Sequence, residues 1–267
     1  MEEFKMANTV YANKVIEAKA KDLLSTSLNT RNLMTVDTEL TQNAGMTKTI
    51  NVYTYTGEAE EVAAGAGNSN RGSISYVGND YTVKMVQQAF DYNDEDFMKD
   101  NTIVDNMLKG ANQVMVNKMT ADFIAEAKKA TLTQTFAKGG AIGYDTIVDA
   151  ISKLNVEDES GLFVVIPNTW KASLRKDEDY KAARMGEVVY NGQVGTICGI
   201  PVIATKALTD VAFVMTKEAV KLFMKKDVEV EQDRDADKRK NSVYLRTAYV
   251  CALVDATKIA KISQATA

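Results

Sequence analysis

The chain has no histidine among its 267 residues. This absence removes the commonest general base, the serine–histidine and cysteine–histidine nucleophile pairs, and every metal site that needs an imidazole ligand. The only two cysteines, Cys198 and Cys251, lie far apart and lack the CxxC spacing of a zinc or redox motif. The sequence therefore predicts a protein that is not an enzyme and that carries no cofactor and no metal.

Proline and long apolar runs are also scarce. With only two prolines, strands and helices can continue without interruption. No apolar run approaches the ~18 residues of a membrane span, and the first residues, MEEFKMANTV, are too polar for a secretory signal. The net charge of −4 leaves no broad basic surface for a membrane or for tight binding of nucleic acid. We expect no membrane contact and only weak, sequence-independent contact with nucleic acid.

The segment Asp94–Thr131 has the strongest periodicity in the chain. It contains no proline and a single glycine, Gly110. Its apolar residues recur at helical spacing: Phe97, Val104, Met107, Leu108, Ala111, Met115, Met119, Phe123 and Ala127. A helix of this span would be roughly 50 Å long, with a possible break at Asp100–Thr102, where the residue types favour helix caps. The segment is predicted to be a rigid helix packed on a sheet.

The residues before this helix are interpreted as two projecting parts. Met1–Gly45 is predicted to be an arm, helical over Asn13–Leu28 and otherwise extended, that buries little against its own chain. Thr47–Thr56 and Tyr81–Ala89 alternate as strands do and are predicted to pair in a long hairpin with a mobile tip rich in glycine and serine. Because a two-stranded ribbon is marginally stable alone, we expect the hairpin to rest on another subunit.

The residues after the long helix are predicted to form a compact α/β lobe followed by terminal strands. The segment Thr133–Gly143 is interpreted as a connector. Helices are predicted at Tyr144–Leu154, from Pro167 onward, at Glu178–Met185 and at Thr216–Phe223. Strands are predicted at Leu162–Ile166, Thr196–Ala204, Val211–Met215, at Asp227–Arg234 paired with Ser242–Val254, and at Lys258–Ile262.

Charged and aromatic residues at the hairpin tip and at the last turn are candidates for contacts between subunits. The acidic residues of the tip face Arg71, so they could form inter-subunit ion pairs, although plain solubilising charge explains them equally well. Asp233, Asp235 and Asp237 begin like a calcium loop, but Lys238 replaces the expected glycine, which favours an ordinary turn. The candidate contacts are Tyr53 and Tyr55 on the first hairpin strand, Glu58, Glu60, Glu61 and Arg71 at the tip, Tyr190 in the turn-rich loop Gly186–Gly195, and Arg234, Asp235 and Arg239 at the last turn.

The order of these parts resembles the major capsid proteins of tailed bacteriophages, which have the Hong Kong 97-like fold. Three segments carry the resemblance: Val164–Pro167 at the end of a buried strand, the glycine loop and strand of Gly195–Ile203, and Ala219–Asp235. The resemblance implies an α+β fold with an N-terminal arm, an extended β-hairpin loop, a long spine helix, and peripheral and axial domains.

The resemblance also implies boundaries for these parts. The arm would be residues 1–45, the extended loop 46–92, the spine helix with its connector 93–143, the axial domain 144–223 and the peripheral strands 224–267. Because the arm begins almost at Met1, we expect either a separate scaffolding protein or none. No lysine lies between Thr49 and Val83, so the covalent cross-link that some members make through this loop is not expected.

The implied function is that of a major capsid protein. Many copies, as pentamers and hexamers, would assemble into an icosahedral head around phage double-stranded DNA, with portal, scaffolding and decoration proteins as partners. The protein would reside in the virion after assembly in the cytoplasm of the bacterial host. The alternatives are an encapsulin-type nanocompartment shell that encloses cargo enzymes, an enzyme with an α/β lobe, and a tail-tube protein that forms stacked rings.

Overall fold

The computed structural model describes residues 15–20, 33–42, 44–100, 102–178 and 195–265. Nearly all of the helix predicted at Glu178–Met185, and Tyr190, lie outside these residues. The helices are α1 (residues 15–20), α2 (Asp94–Lys99), α3 (Ile103–Ala127), α4 (Tyr144–Leu154) and α5 (Lys171–Lys176). The strands are β1 (Thr35–Asp37), β2 (Thr47–Thr56), β3 (Ser73–Thr82), β4 (Lys84–Asn93), β5 (Leu132–Phe136), β6 (Leu162–Pro167), β7 (Thr196–Ile197), β8 (Ile200–Thr205), β9 (Val211–Thr216), β10 (Val220–Asp235), β11 (Lys240–Leu253) and β12 (Ile259–Gln264).

The described strands form three sheets. A four-stranded sheet has the order β1-β10-β11-β4, a six-stranded sheet has the order β5-β12-β9-β6-β8-β7, and β2 and β3 form a two-stranded ribbon. The pairings β1 with β10, β5 with β12 and β6 with β8 are parallel, and the others are antiparallel. The fold is therefore α+β, as the sequence predicted.

The long helix is interrupted where the sequence predicted a break. The Asp100 carboxylate accepts hydrogen bonds from the Thr102 backbone N–H at 2.8 Å and from its hydroxyl at 2.7 Å, and Thr102 immediately precedes α3. These bonds lower the pKa of Asp100 and end the short helix α2 before α3 begins. With 25 residues, α3 alone is about 37 Å long at the usual rise per residue.

One core lies beneath α3 and joins the four-stranded and six-stranded sheets. From α3, Met119 and Phe123 enter this core; Leu222 comes from the four-stranded sheet, and Phe163 and Phe213 come from the six-stranded sheet. All five side chains are at least 95% buried. The two sheets and the helix therefore share one apolar interior and form a single rigid frame.

The central strands β6 and β9 of the six-stranded sheet are buried on both faces. Along β6, Phe163 and Val165 face the core under α3, whereas Leu162, Val164 and Ile166 face a second core with α4. A strand covered on both sides has no polar face, which explains why this segment reads as a continuous apolar run. The predictions of α4 and of this strand are confirmed.

The helix predicted in the arm is present at residues 15–20, but the prediction that the arm buries little against its own chain is wrong for the residues that the structure describes. Ile16 and Ala20 of α1 are buried in the core under α3, and Lys19 forms an ion pair with Asp105 at 3.0 Å. Further along the chain, β1 pairs in parallel with β10, and Leu40 is buried in a third, smaller core. Among the described residues of this segment, Ile16, Ala20 and Leu40 are thus buried within the chain.

The predicted partner strand of the hairpin is also wrong. The partner of β2 is β3, and the following strand β4 leaves the ribbon to pair with β11 in the four-stranded sheet. The loop therefore spans residues 57–72 and is shorter than predicted. Both Ser73–Thr82 and Tyr81–Ala89 can alternate, and alternation alone does not identify the strand with which a segment pairs.

Two predicted helix positions are corrected by strand pairing. Thr216–Phe223 is a turn followed by the start of β10, whose Val220 and Phe223 pair with Leu253 and Val250 of β11. Pro167 ends β6 rather than beginning a helix, and α5 begins only at Lys171. The missing N–H of Pro167 is tolerated there because the pairing of β6 with β9 has already ended at Val165.

Two further segments differ from the prediction in their strands. The predicted connector Thr133–Gly143 contains most of β5, which adds to the edge of the six-stranded sheet beside β12. The predicted strand Thr196–Ala204 is a short hairpin of β7 and β8, turned at Cys198 and Gly199, where φ is +53° and +80°. The strand predictions for β9, β10 with β11, and β12 are confirmed.

A core substitution tests whether the shared interior holds the frame together. Phe213→Ala removes a fully buried ring from the core, and we expect it to lower the free energy of unfolding by about 3–5 kcal/mol. Urea unfolding of the unassembled subunit measures this loss. The control Val114→Ala changes an exposed position of α3 and should alter stability by less than about 0.5 kcal/mol. Equal effects of the two substitutions would contradict the shared core.

Candidate functional site

The ribbon of β2 and β3 is anchored to the frame at its base. Ile50 and Tyr81 pack against the small core that contains Phe223 and Ala248. The Tyr81 ring stacks on Phe223 with a centroid separation of 5.8 Å, and its hydroxyl donates to the Leu253 carbonyl at 3.1 Å. Burial raises the pKa of Tyr81, so the phenol stays protonated and remains a donor. The base of the hairpin is thus fixed in direction.

Beyond its base, the ribbon exposes apolar side chains that its own chain does not cover. These residues are Val52, Tyr53, Tyr55, Ile74, Tyr76 and Val77. Exposed apolar side chains that are grouped in this way mark interaction sites in soluble proteins. The structure therefore places the predicted contact residues Tyr53 and Tyr55 together on an accessible surface.

The tip of the hairpin is closed by hydrogen bonds around Glu60. Its carboxylate accepts from the Ser69 hydroxyl at 2.7 Å, from the Ser69 backbone N–H, and from the Asn70 backbone N–H at 3.2 Å. The Asn70 side-chain amide in turn donates to the Glu58 carbonyl at 3.1 Å. The hydrogen bond from the Ser69 side chain, followed by those from the backbone, lowers the pKa of Glu60. The two sides of the tip are therefore held together by one ionised carboxylate.

Two glycines let the Tyr55 ring lie against the backbone at the start of the tip. A Cβ atom on Gly72 would lie 2.0 Å from the Tyr55 hydroxyl oxygen, and one on Gly57 would lie 2.7 Å from the Gly72 Cα. Such approaches exclude any side chain without movement of the ring or the backbone. The glycines predicted to make the tip mobile therefore allow close packing of an aromatic side chain.

The other predicted tip residues are accessible. Glu58, Glu61 and Arg71 are all exposed. The contact that sequence reasoning missed is the one between Glu60 and the Ser69–Asn70 pair, because no sequence spacing indicates which carboxylate of an acidic tip faces the opposite side of the loop. The pairing of Glu58, Glu61 and Arg71 with another subunit stays a prediction, and Tyr190 lies outside the described residues.

The candidates at the last turn make contacts within the chain. The Arg234 guanidinium pairs with the Asp94 carboxylate at 2.8 Å, and the Asn241 side-chain amide donates to the other oxygen of Asp94 at 2.9 Å. Arg239 pairs with Glu95 at 2.9 Å. These contacts attach the start of α2 to the turn between β10 and β11. A further role of Arg234 and Arg239 between subunits stays a prediction.

The aspartates that begin like a calcium loop form an ordinary turn. The Asp235 carboxylate accepts from the backbone N–H groups of Asp237 at 3.1 Å and Lys238 at 3.2 Å, and these bonds lower its pKa. Within the described ranges, no group of three or more cysteine or acidic side chains is arranged to hold a metal ion. Asp235 thus shapes the turn, and its role toward a neighbour stays a prediction.

A groove between α3, β4 and β11 is lined by several titratable side chains. Its volume is about 370 Å³, and it is lined in part by Asp122, Glu126, Tyr249 and Cys251. The Tyr249 hydroxyl donates to Asp122 at 2.9 Å, and burial raises the pKa of Tyr249. Burial also raises the pKa of the Cys251 thiol to about 12. A neutral thiol and a protonated phenol are poor nucleophiles, so the arrangement stabilises the sheet rather than activating a reacting group.

None of the described helices combines the length and the apolar character that a bilayer crossing requires.

Comparison with known proteins agrees with the architecture. Residues 76–262 match the model of a family described as phage capsid protein. The major capsid protein of Staphylococcus phage phiMR11 is 24% identical over 235 residues, which cover 86% of this chain and 84% of that protein.

Solved structures share the fold. The capsid structure of the cyanophage P-SCSP1u matches with a TM-score of 0.70 at 12% identity, over 88% of this chain and 87% of that chain. The virus-like particle from Pyrococcus furiosus matches with a TM-score of 0.64 at 10% identity, over 94% of this chain and 98% of that chain. The architecture is the Hong Kong 97-like capsid fold predicted from the sequence. Since the family model matches most of this chain, the chain belongs to the phage capsid protein family, whose members are structural subunits of the virion.

Proposed function

We propose that this major capsid protein builds the icosahedral head by attaching its projecting hairpin to neighbouring copies. The observation that supports this mechanism is the row of exposed apolar side chains on the ribbon beyond its anchored base. A two-stranded ribbon is marginal in water when it packs on nothing. Contact with a neighbour would bury those side chains and stabilise both the ribbon and the shell.

The frame beneath α3 supplies the rigidity that such a mechanism needs. Because both sheets share a core with the helix, the base of the hairpin keeps a constant direction relative to the rest of the subunit. Copies related by symmetry then present identical surfaces at identical positions, and many modest contacts add to one stable assembly. The subunits would form pentamers and hexamers.

We assign the two lobes of the subunit to the axial and peripheral domains. The six-stranded sheet with α4 is the axial domain, and the four-stranded sheet with α3 is the peripheral domain with its spine helix. Since β5 and β12 pair within the six-stranded sheet, the assignment extends the axial domain to residues 132–136 and 259–264. Because β10 begins at Val220 in the four-stranded sheet, the assignment also moves the boundary predicted at residue 223 to residue 219. The boundary predicted at residue 144 is kept.

The shell is proposed to enclose double-stranded phage DNA. A chain with a net charge of −4 supports weak contact that does not depend on sequence, because tight binding requires many basic residues. Portal, scaffolding and decoration proteins remain the predicted partners, and the bacterial cytoplasm remains the predicted place of assembly.

A second candidate is a nanocompartment shell that encloses cargo enzymes. The similarity to the virus-like particle from Pyrococcus furiosus extends over 94% of this chain. It favours the nanocompartment as a candidate, because the fold of a shell does not determine what the shell encloses. The sequence similarity to a phage major capsid protein places the phage head first.

Assembly of the purified protein tests the proposal. We expect electron microscopy of the chain, expressed with its neighbouring gene products, to show closed icosahedral shells of uniform size. DNA and a portal complex should co-purify with a phage head, whereas a protein cargo would indicate a nanocompartment. Stacked rings would instead indicate a tail tube. A single compact subunit in sedimentation at high concentration, with any assembly helper present, would contradict the proposal.

The ionised Glu60 provides a pH test of the ordered tip. Because the pKa of Glu60 is lowered in the folded tip, the stabilisation is present above the ordinary pKa and is lost as the pH falls through the lowered value. We expect the Ser69 and Asn70 amides to lose protection from hydrogen exchange as the pH falls below about 4.5, after correction for the intrinsic rate. Mass spectrometry of tip peptides measures this change.

Two variants control the pH experiment. Glu60→Gln removes the charged acceptor and should show reduced protection at every pH, with no transition. Glu61→Gln changes the adjacent exposed carboxylate and should keep the transition of the natural chain. A transition that survives in Glu60→Gln would show that another group orders the tip.

A further inference from the structure

The two faces of the hairpin differ in chemistry beyond its base. In the register of β2 and β3, Tyr53 lies opposite Tyr76 and Tyr55 lies opposite Ile74. Since side chains alternate across a strand, these four residues share one face, which we name the aromatic face. They are between 61% and 68% exposed, and the rings of Tyr53 and Tyr76 are 5.9 Å apart.

The opposite face is smaller and more polar. Its pairs at the same height are Val52 with Val77 and Thr54 with Ser75. The two valines are exposed as well, but they are the only large apolar residues on this face beyond the base. The ribbon therefore offers a broad apolar surface on one side only.

We propose that the aromatic face is the docking surface of the hairpin and that its occupant is a second copy of this chain. The inference rests on the proposed function and deepens it by naming the face and the residues that carry the contact. The opposite face then stays in water or makes only minor contacts.

The surrounding charge argues against nucleic acid as the occupant. The tip beside the aromatic face carries Glu58, Glu60 and Glu61 against a single cation, Arg71. Platforms that stack bases combine aromatic rings with a positively charged groove that follows the backbone. An acidic tip repels the phosphates of nucleic acid, whereas a protein surface of mixed charge can contact an acidic tip.

The size of the aromatic face suits repeated contacts between copies. Four side chains of this kind bury on the order of 400 Å², which is about half of the area per partner in a standard stable interface. A lone pair of subunits would thus dissociate. In a closed shell every subunit makes the same contact together with others, so a small area suffices.

The aromatic face is also ordered before any partner binds. The Tyr55 ring lies against Gly57 and Gly72, and the Asn51 side-chain amide donates to the Tyr53 hydroxyl at 3.4 Å. The Glu60 hydrogen bonds close the tip next to these residues. A surface that is already ordered loses less conformational entropy on binding, which favours its use as a docking surface.

A pair of matched double variants tests the proposal. Tyr53→Ser with Tyr76→Ser removes an opposed pair from the aromatic face, and Val52→Ser with Val77→Ser removes the adjacent opposed pair from the other face. We expect the first to raise the critical concentration for assembly by at least about tenfold and the second by less than about threefold. Light scattering measures assembly, and thermal unfolding of the unassembled subunits verifies that both variants fold.

The outcomes separate this inference from the proposed function. If the natural chain assembles but both variants behave alike, or only the valine variant fails, the inference is overturned and the shell function stands. If the natural chain never assembles, the proposed function fails. An aromatic-face variant that assembles normally but binds single-stranded DNA less than the natural chain would also overturn the inference.

Photo-crosslinking gives a second and independent measurement. A photo-reactive amino acid at Tyr76 lies on the aromatic face, and one at the adjacent Val77 lies on the other face with the same exposure. We expect irradiated shells to yield covalent dimers from position 76 and few from position 77. Dimers formed mainly from position 77 would assign the contact to the opposite face and contradict the proposal.

Discussion

The structure depends on the apolar core that α3 shares with both large sheets. Phe213 comes from the six-stranded sheet, Leu222 from the four-stranded sheet and Phe123 from the helix, and all three are almost completely buried. Apolar burial of this kind is the dominant favourable term in folding. Because one core serves both lobes, neither lobe can rotate without exposing apolar surface, and the subunit behaves as one rigid piece.

The rigid frame fixes the position of the exposed hairpin. Tyr81 fixes the base of the ribbon through its stacking on Phe223 and its hydrogen bond to Leu253, so the aromatic residues further along occupy a defined position. Exposed tyrosines on a floating segment would adhere to many surfaces, whereas the same residues at a fixed position select a partner with matching geometry. The core of one subunit thus contributes to the specificity of its contacts with the next.

Sequence periodicity predicted the elements whose patterns are local, and it failed where pairing partners are distant. The apolar spacing of α3 and the run from Leu162 to Ile166 each follow from burial of residues close in sequence. Thr216–Phe223 fits both a helical and a strand pattern, and only its pairing with β11 decides between them. The partner of β2 and the contact of Glu60 with Ser69 likewise depend on the three-dimensional arrangement. No local sequence motif indicates either of them.

The scarcity of reactive side chains in this chain agrees with the proposed non-covalent contacts between subunits. A subunit without histidine and with a buried, protonated Cys251 thiol has few groups to activate, and no lysine between Thr49 and Val83 offers an amine for a covalent link on the hairpin. In the proposed shell, non-covalent burial of surfaces such as the aromatic face attaches one subunit to the next. Contacts that are weak one at a time allow a misplaced subunit to dissociate, and their number makes the closed shell durable. The modest size of the aromatic face is therefore consistent with a shell that corrects errors while it forms and becomes stable only when it is complete.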